Sequence, residues 1–362
     1  MKIRQTTVSM VLVIVLLFSA CGAAADASAA GSREGPVVSS VETIGSGKEE
    51  VSQDGSGRPS SYPGEFVFGT YSFNPHLHSG ILSRFYTEER MNSLYNLCDA
   101  LREGRDTFEC ADRETYDWCM DSVTLAHMFP AACMVVGKED GSGSESFENG
   151  TGRICYDIPA EEFVKRQAGF ETLVEEILNS VLEDDDTDFE KCLKLYAYME
   201  STYTYEYDTF DHEGFTYSTF MHKLGICENL SGVYVYLLLQ AGVDALSIGC
   251  FNGIQHAWTY VILDGEGYHI DPTWALHEEG EPLNLTYFMN SERARNAYGV
   301  PTDDLTAAMV PGFWLNFSQT ELPADSEKFA CFLDSVFVSL DEESKTIYYE
   351  DGLGVHGLKY EK

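Results

Sequence analysis

Three residues able to do nucleophilic and acid–base chemistry follow one another in the second half of the chain: Cys227, His256 and Asp271, spaced 29 and 15 apart. A thiol attacks an acyl carbon as its thiolate, an imidazole can take and return the proton near neutral pH, and a carboxylate holds the imidazole in one tautomer. Taken singly, each has an ordinary structural reading: a small core residue, a satisfied histidine, a turn former before Pro272. Their surroundings separate the chemical reading from the ordinary one. Cys227 follows Leu224-Gly225-Ile226 and precedes an apolar run, 233–239, closed by Ala241-Gly242. That pattern predicts a turn, then a helix with a Gly stop, with Cys227 at or beside the helix N-terminus. The unpaired N–H groups and dipole at such a terminus favour a thiolate.

The other two residues belong to a predicted hairpin. Residues 243–250 form a short β-rich run broken by Gly253, and the run from His256 to Leu263 follows as a strand. Asp264-Gly265 is a strong two-residue turn signal, and Tyr268-His269-Ile270-Asp271 returns as a strand ended by Pro272. A two-residue turn pairs Leu263 with Glu266, and therefore faces Trp258 with Asp271 and His256 with Thr273. His256 and Asp271 then share a face one diagonal step apart, about 7–8 Å between backbones and within side-chain reach. Nucleophile, base and orienting acid are thereby all present. Trp258 and Trp274 are candidates to wall a substrate cleft and exclude water, with core packing as the other reading. His269 shares the Asp271 face, but nothing nearby completes a metal set, and no C-x-x-C pair suggests zinc.

Gly225-Ile226-Cys227, His256-Ala257-Trp258 and Asp271-Pro272-Thr273-Trp274 resemble the three motifs of the transglutaminase-like superfamily. The resemblance covers about 60 residues. It implies a papain-like core in which Cys227 attacks an amide carbonyl, His256 shuttles the proton and Asp271 orients His256. It also implies thiol-dependent acyl transfer on amide or peptide bonds: hydrolysis, deamidation or cross-linking. Asn229 stands where many relatives carry Gly two residues after the Cys. The Cys227 backbone N–H is one expected oxyanion donor, and a second is unassigned within 203–220. The expected partner is a protein or peptide substrate, with a cell-wall peptide among the candidates, and no cofactor or metal is implied. The other functional class open to these residues is a catalytically inactive peptide- or cell-wall-binding module on the same fold.

Around this segment the expected class is α+β: a helix packed on an antiparallel sheet, preceded by a mainly helical part. Phe85, Met91, Leu94, Leu97, Cys98 and Leu101 recur at helical spacing within 83–105, with Gly104 as the stop. Residues 137–153 read as an exposed loop. A second helix spans 160–182 after Pro159. The acidic run at 183–188 lacks the alternating spacing of a calcium loop, and Thr187 with Glu190 reads instead as a capping box opening a helix to about Thr202. Residues 336–340 and 346–349 alternate and predict a closing hairpin.

The chain has 362 residues, 44% apolar and 13% aromatic, enough for a sizeable core. Its formal charge of −36 disfavours nucleic acid and anionic lipid surfaces as partners. Lys2 and Arg4, the apolar run 10–18 and Ser19-Ala20-Cys21 follow the order of an export signal. Cys21 resembles a bacterial lipobox cysteine, with ordinary cleavage near Ala20 or an uncleaved anchor as the other readings. The expected organisation is a signal peptide at 1–20, a lipid-anchored flexible linker at 21–60, a mainly helical region at 61–185, and the core with its hairpin at 186–350. The expected place is the extracellular face of a bacterial cell membrane, or secretion. Of the ten cysteines, the eight besides Cys21 and Cys227 could pair or stay as buried thiols.

Overall fold

The computed structural model describes residues 69–137, 146–206, 215–250, 255–276, 280–299, 305–307 and 321–361. The signal peptide, Cys21 and the linker expected at 1–60 lie outside the described residues. Among the described residues no helix is long and apolar enough to cross a membrane, and all nine described cysteines are thiols.

The N-terminal part starts with α1 (Glu88–Arg102). Its start is set by Thr87, whose side chain accepts from the Arg90 N–H, and by Glu88 and Glu89 in the first turn. Met91, Leu94, Leu97, Cys98 and Leu101 form its buried stripe, and Gly104 (φ +68°) turns the chain at the end. There follow β1 (Thr107–Glu109), α2 (Arg113–Cys119) capped by Asp112, and α3 (Ser122–Met128) capped by Asp121. Four short strands come next: β2 (Val136–Gly137), β3 (Phe147–Glu148), β4 (Thr151–Arg153) and β5 (Cys155–Tyr156).

The expected loop at 137–153 is thus partly sheet. Asn149 (φ +51°) and Gly150 (φ +80°) make a two-residue turn that pairs Glu148 with Thr151. β1 joins on the other side of β4, giving the order β1-β4-β3. Asn-Gly is itself a strong hairpin signal, diluted here by a Gly-, Ser- and Glu-rich neighbourhood.

Helices α4 (Ala160–Val181) and α5 (Asp188–Thr202) form where the apolar spacing places them. The acidic run between them serves helix ends and docking. Asp184 accepts from the Thr70 N–H, Asp186 accepts from the Glu183 N–H and from Lys194 (2.5 Å), and Thr187 and Glu190 complete a reciprocal capping box.

The central part comprises β6 (Thr204–Tyr205), α6 (Phe215–His222), β7 (Leu224–Gly225), α7 (Cys227–Gln240), β8 (Ala245–Cys250), β9 (His256–Leu263), β10 (Glu266–Ile270), α8 (Glu292–Ala297) and β11 (Leu305–Ala307). Strands β8 to β11 form an antiparallel sheet in the order β10-β9-β8-β11. Helix α7 packs on β8 and β9, where Ser231 bonds Ser247 (2.9 Å) and Thr259 (3.3 Å). One buried cluster runs from the N-terminal helices through α7 into this sheet. The class is α+β, with a helix laid on an antiparallel sheet.

The closing hairpin has a third strand: β12 (Val336–Asp341), β13 (Thr346–Asp351) and β14 (Gly354–Lys359) form one antiparallel sheet. It docks on α5 through Glu190, a fully buried carboxylate that accepts from Lys345 (3.0 Å) and from the hydroxyl of Tyr360.

Candidate active site

The segment carrying Cys227 is shaped by close approaches. Lys223 ends α6 in a left-handed conformation (φ +60°), and β7 then runs parallel to β6, with the Glu206 N–H donating to the Gly225 carbonyl oxygen. A Cβ on Gly225 would sit 2.8 Å from Thr219 Oγ1 and 3.0 Å from Asn229 Cβ, so this approach requires glycine. Ile226 is the extended N-cap (φ −94°, ψ 177°), and its N–H donates to Asn229 Oδ1 at 3.3 Å. Asn229 thus closes the helix start, and Cys227 occupies the first position of α7. Beside it, burial pushes the Glu228 carboxyl up to about 7. Burial also brings Lys223 down to about 8, and its ammonium donates to the hydroxyls of Tyr203 (3.2 Å) and Tyr198 (3.4 Å).

The hairpin presents the other two residues. Asp264 (φ +53°) and Gly265 (φ +82°) make the two-residue turn, and pairing runs from Leu263↔Glu266 to Thr259↔Ile270. Positive φ at both turn positions gives the primed turn whose twist matches its strands. His256 opens β9 opposite Cys250, and Asp271 directly follows β10, its N–H donating to the Tyr287 carbonyl oxygen at 2.9 Å. His256 Nε2 lies 2.6 Å from Asp271 Oδ2. The other oxygen, Oδ1, accepts from the Thr273 and Trp274 N–H groups at 3.1 Å each.

A residue that motif reading missed completes this carboxylate. Arg295, from α8, donates from Nη2 to Asp271 Oδ2 at 2.7 Å and is fully buried. Its guanidinium carbon lies 4.4 Å from the Trp258 ring centroid and 4.8 Å from that of Trp274, so the cation is held between two indoles. One of two arginines in a short polar helix, 24 residues past Asp271, carries no sequence signal for this role. Burial pushes the Asp271 carboxyl up, but His256 and Arg295 beside it overcome that and hold it far below the usual carboxylate range. An ionised Asp271 makes His256 Nε2 the protonated nitrogen, which leaves Nδ1 with the lone pair.

The two candidate cleft tryptophans differ. Trp274 is partly buried and stacks on the His256 ring, with centroids 4.7 Å apart and planes 15° apart. Trp258 is fully buried and its Nε1 donates to His269 Nδ1 at 3.0 Å. Burial and the Arg295 charge bring His269 down to about 3, so it is a neutral acceptor. Cys227, His256 and Asp271 each have 0% of their surface exposed. The structure thus brings His256 and Asp271 into contact and sets Cys227 at the start of the helix packed on the His256 strand. Of the 203–220 stretch expected to supply an oxyanion donor, residues 207–214 lie outside the described residues.

Residues 175–272 match the model of the transglutaminase-like superfamily. One solved structure that the chain resembles is a candidate cysteine protease from Cytophaga hutchinsonii. It is 13% identical, the match covers 28% of this chain and 37% of that one, and the TM-score is 0.25. No curated protein matches the chain. The matched stretch contains Cys227, His256 and Asp271 and stops short of Trp274 and Arg295, so the similarity to the transglutaminase-like superfamily takes in the helix-start cysteine and the hairpin His–Asp pair.

Proposed function

We propose that the chain is a thiol-dependent acyl-transfer enzyme acting on amide bonds of a protein or peptide. The observation that carries this reading is the 2.6 Å bond between His256 Nε2 and an ionised Asp271, on the strand against which the Cys227 helix packs. In this reading His256 Nδ1 takes the Cys227 proton and the thiolate attacks the amide carbonyl. The carbon–nitrogen bond breaks as the imidazolium returns that proton to the departing amine, leaving a thioester on Cys227. Water then gives a carboxylate, or a second amine gives a new amide. Hydrolysis needs only water and ranks ahead of cross-linking. A cell-wall peptide or surface protein is the proposed substrate, and export with a lipid on Cys21 is the proposed setting.

A second reading has an observation in its favour: the complete burial of Cys227, His256 and Asp271 suits a catalytically inactive module that presents the fold to a peptide. Iodoacetamide labelling read at the Cys227 peptide by mass spectrometry separates the two. The enzyme reading expects Cys227 to react faster at neutral pH than the other buried thiols, and His256→Ala to slow it about 10²-fold or more. Ordinary thiol reactivity that His256→Ala leaves unaltered would overturn it in favour of the inactive module.

A further inference from the structure

We infer that Arg295 is a positioning residue of this site: it shares the Asp271 carboxylate with His256, fixes that carboxylate, and opposes positive charge on the imidazole. The inference rests on the reading of Cys227, His256 and Asp271 as one site. Arg295 Nη2 and His256 Nε2 both bond the same oxygen, at 2.7 and 2.6 Å. The two nitrogens therefore lie within about 5 Å of each other among fully buried side chains, where charges act strongly. Asp271 Oδ1 is already taken by two backbone N–H groups, so all the side-chain traffic falls on Oδ2.

Several other groups face this pair. His269 from β10 is held neutral by burial and Arg295. Tyr196 from α5 and Tyr287 from the segment before α8 are pushed up by burial and the Asp271 charge, and stay neutral. Cys227 opens α7, the helix packed on the His256 strand. Of these groups Arg295 alone is a permanent cation.

The charge count follows. Without Arg295 a buried Asp271 would carry an uncompensated negative charge and hold the imidazole protonated. With Arg295 the carboxylate is already neutralised, and the imidazole stays a base until the thiol gives it a proton. That proton transfer creates one anion on sulfur and one cation on the ring, so the four groups together remain neutral. The indole clamp of Trp258 and Trp274 gives the same guanidinium a second, purely structural use, and an experiment must tell the two apart.

The test is a ¹⁵N-histidine NMR titration of the full chain, with the His256 signal identified by its loss in His256→Gln. Arg295→Met should move the His256 midpoint up by about one to two pH units, and Arg295→Lys should bring it back to within about half a unit of the wild type. A clamp role alone would leave the midpoint in place. It could also lower it, as His256 and Asp271 drift apart. Either outcome overturns the inference. If Arg295→Met does not fold, Arg295→Gln keeps a donor for Oδ2 without the charge and decides the same point. Should Cys227 prove an ordinary thiol, the acyl-transfer reading fails, while the titration still decides what Arg295 does to His256.

Discussion

The Asp271–Arg295 pair makes a quantitative demand on stability. Both side chains are fully buried and meet at 2.7 Å. With the charge centres about 4 Å apart and an effective dielectric of about 20, their attraction is ~4 kcal/mol. Asp271→Asn keeps the shape but strands the guanidinium between two indoles, and removing one partner of a buried pair costs about 3–5 kcal/mol. Arg295→Met should cost less, ~2–3 kcal/mol, because Asp271 keeps His256 and two backbone donors. The double variant loses both charges together, so its cost should fall short of the summed single costs by about 2–4 kcal/mol. Urea unfolding at pH 7, followed by circular dichroism, measures all four corners. The pH dependence has a fixed sign. A depressed folded-state carboxyl contributes stability that is present above the unfolded value near ~4 and is lost as pH falls toward the folded value. Wild type should therefore lose this contribution below about pH 4 and Asp271→Asn should not. Additivity within about 0.5 kcal/mol would refute the buried ion pair as an energetic unit.

Other consequences can be measured separately. Glu228 titrates near 7 when folded, against about 4.3 unfolded, so the folded state holds an extra proton between those values and stability falls as pH rises through them. Glu228→Gln should then gain ~1–3 kcal/mol over wild type at pH 8 relative to pH 4.5, and parallel melting curves at both pH values would refute this. His269 accepts from Trp258 through Nδ1 and should appear in ¹⁵N spectra as the neutral Nε2–H tautomer down to about pH 4.5; a titration near the ordinary ~6.5 would contradict it. Gly225→Ala drives a methyl into Thr219 and Asn229 and should cost ~1–3 kcal/mol while slowing Cys227 labelling, and unchanged values of both would show that the turn tolerates it. Glu190→Gln should cost ~2–4 kcal/mol and speed amide exchange across 336–359, since it weakens the Lys345 and Tyr360 contacts. Exchange unchanged there would place the docking elsewhere.

What could be read from the chain beforehand was what local chemistry encodes. Thr187 and Glu190 announce a helix start by mutual capping, and α5 begins there. Asp264-Gly265 specifies a turn with positive φ at both positions, and that turn alone sets the register that carries Asp271 toward His256. The β3–β4 turn at Asn149-Gly150 had the same kind of signal, but its strands are two and three residues long, too short for alternation to register. Strand β14 was missed for a related reason: Gly354 and Gly357 interrupt its pattern, and its alternating exposure comes from lying beside β13. Helix α7 shows that apolar content without periodicity still marks a core helix, because neighbours cover nearly all its sides.

Arg295 belongs to a different order of information. No local rule ties it to Asp271. The link is the return of the chain along the free edge of β10, where His269 and Asn290 exchange backbone bonds of 2.9 and 2.8 Å and the Asp271 N–H reaches the Tyr287 carbonyl oxygen. That return caps α8 with Ser291, whose side chain accepts from the Ala294 N–H, and four residues past Ser291 the Arg295 guanidinium meets Oδ2. Asp271 thus sits at a junction, with His256 supplied by the strand on one side of β10 and Arg295 by the segment on the other. The matched stretch, which ends at residue 272, takes in only the first side. The second side determines how much charge His256 meets, so two chains with the same three motif residues can differ in the basicity of the imidazole according to what returns along that edge.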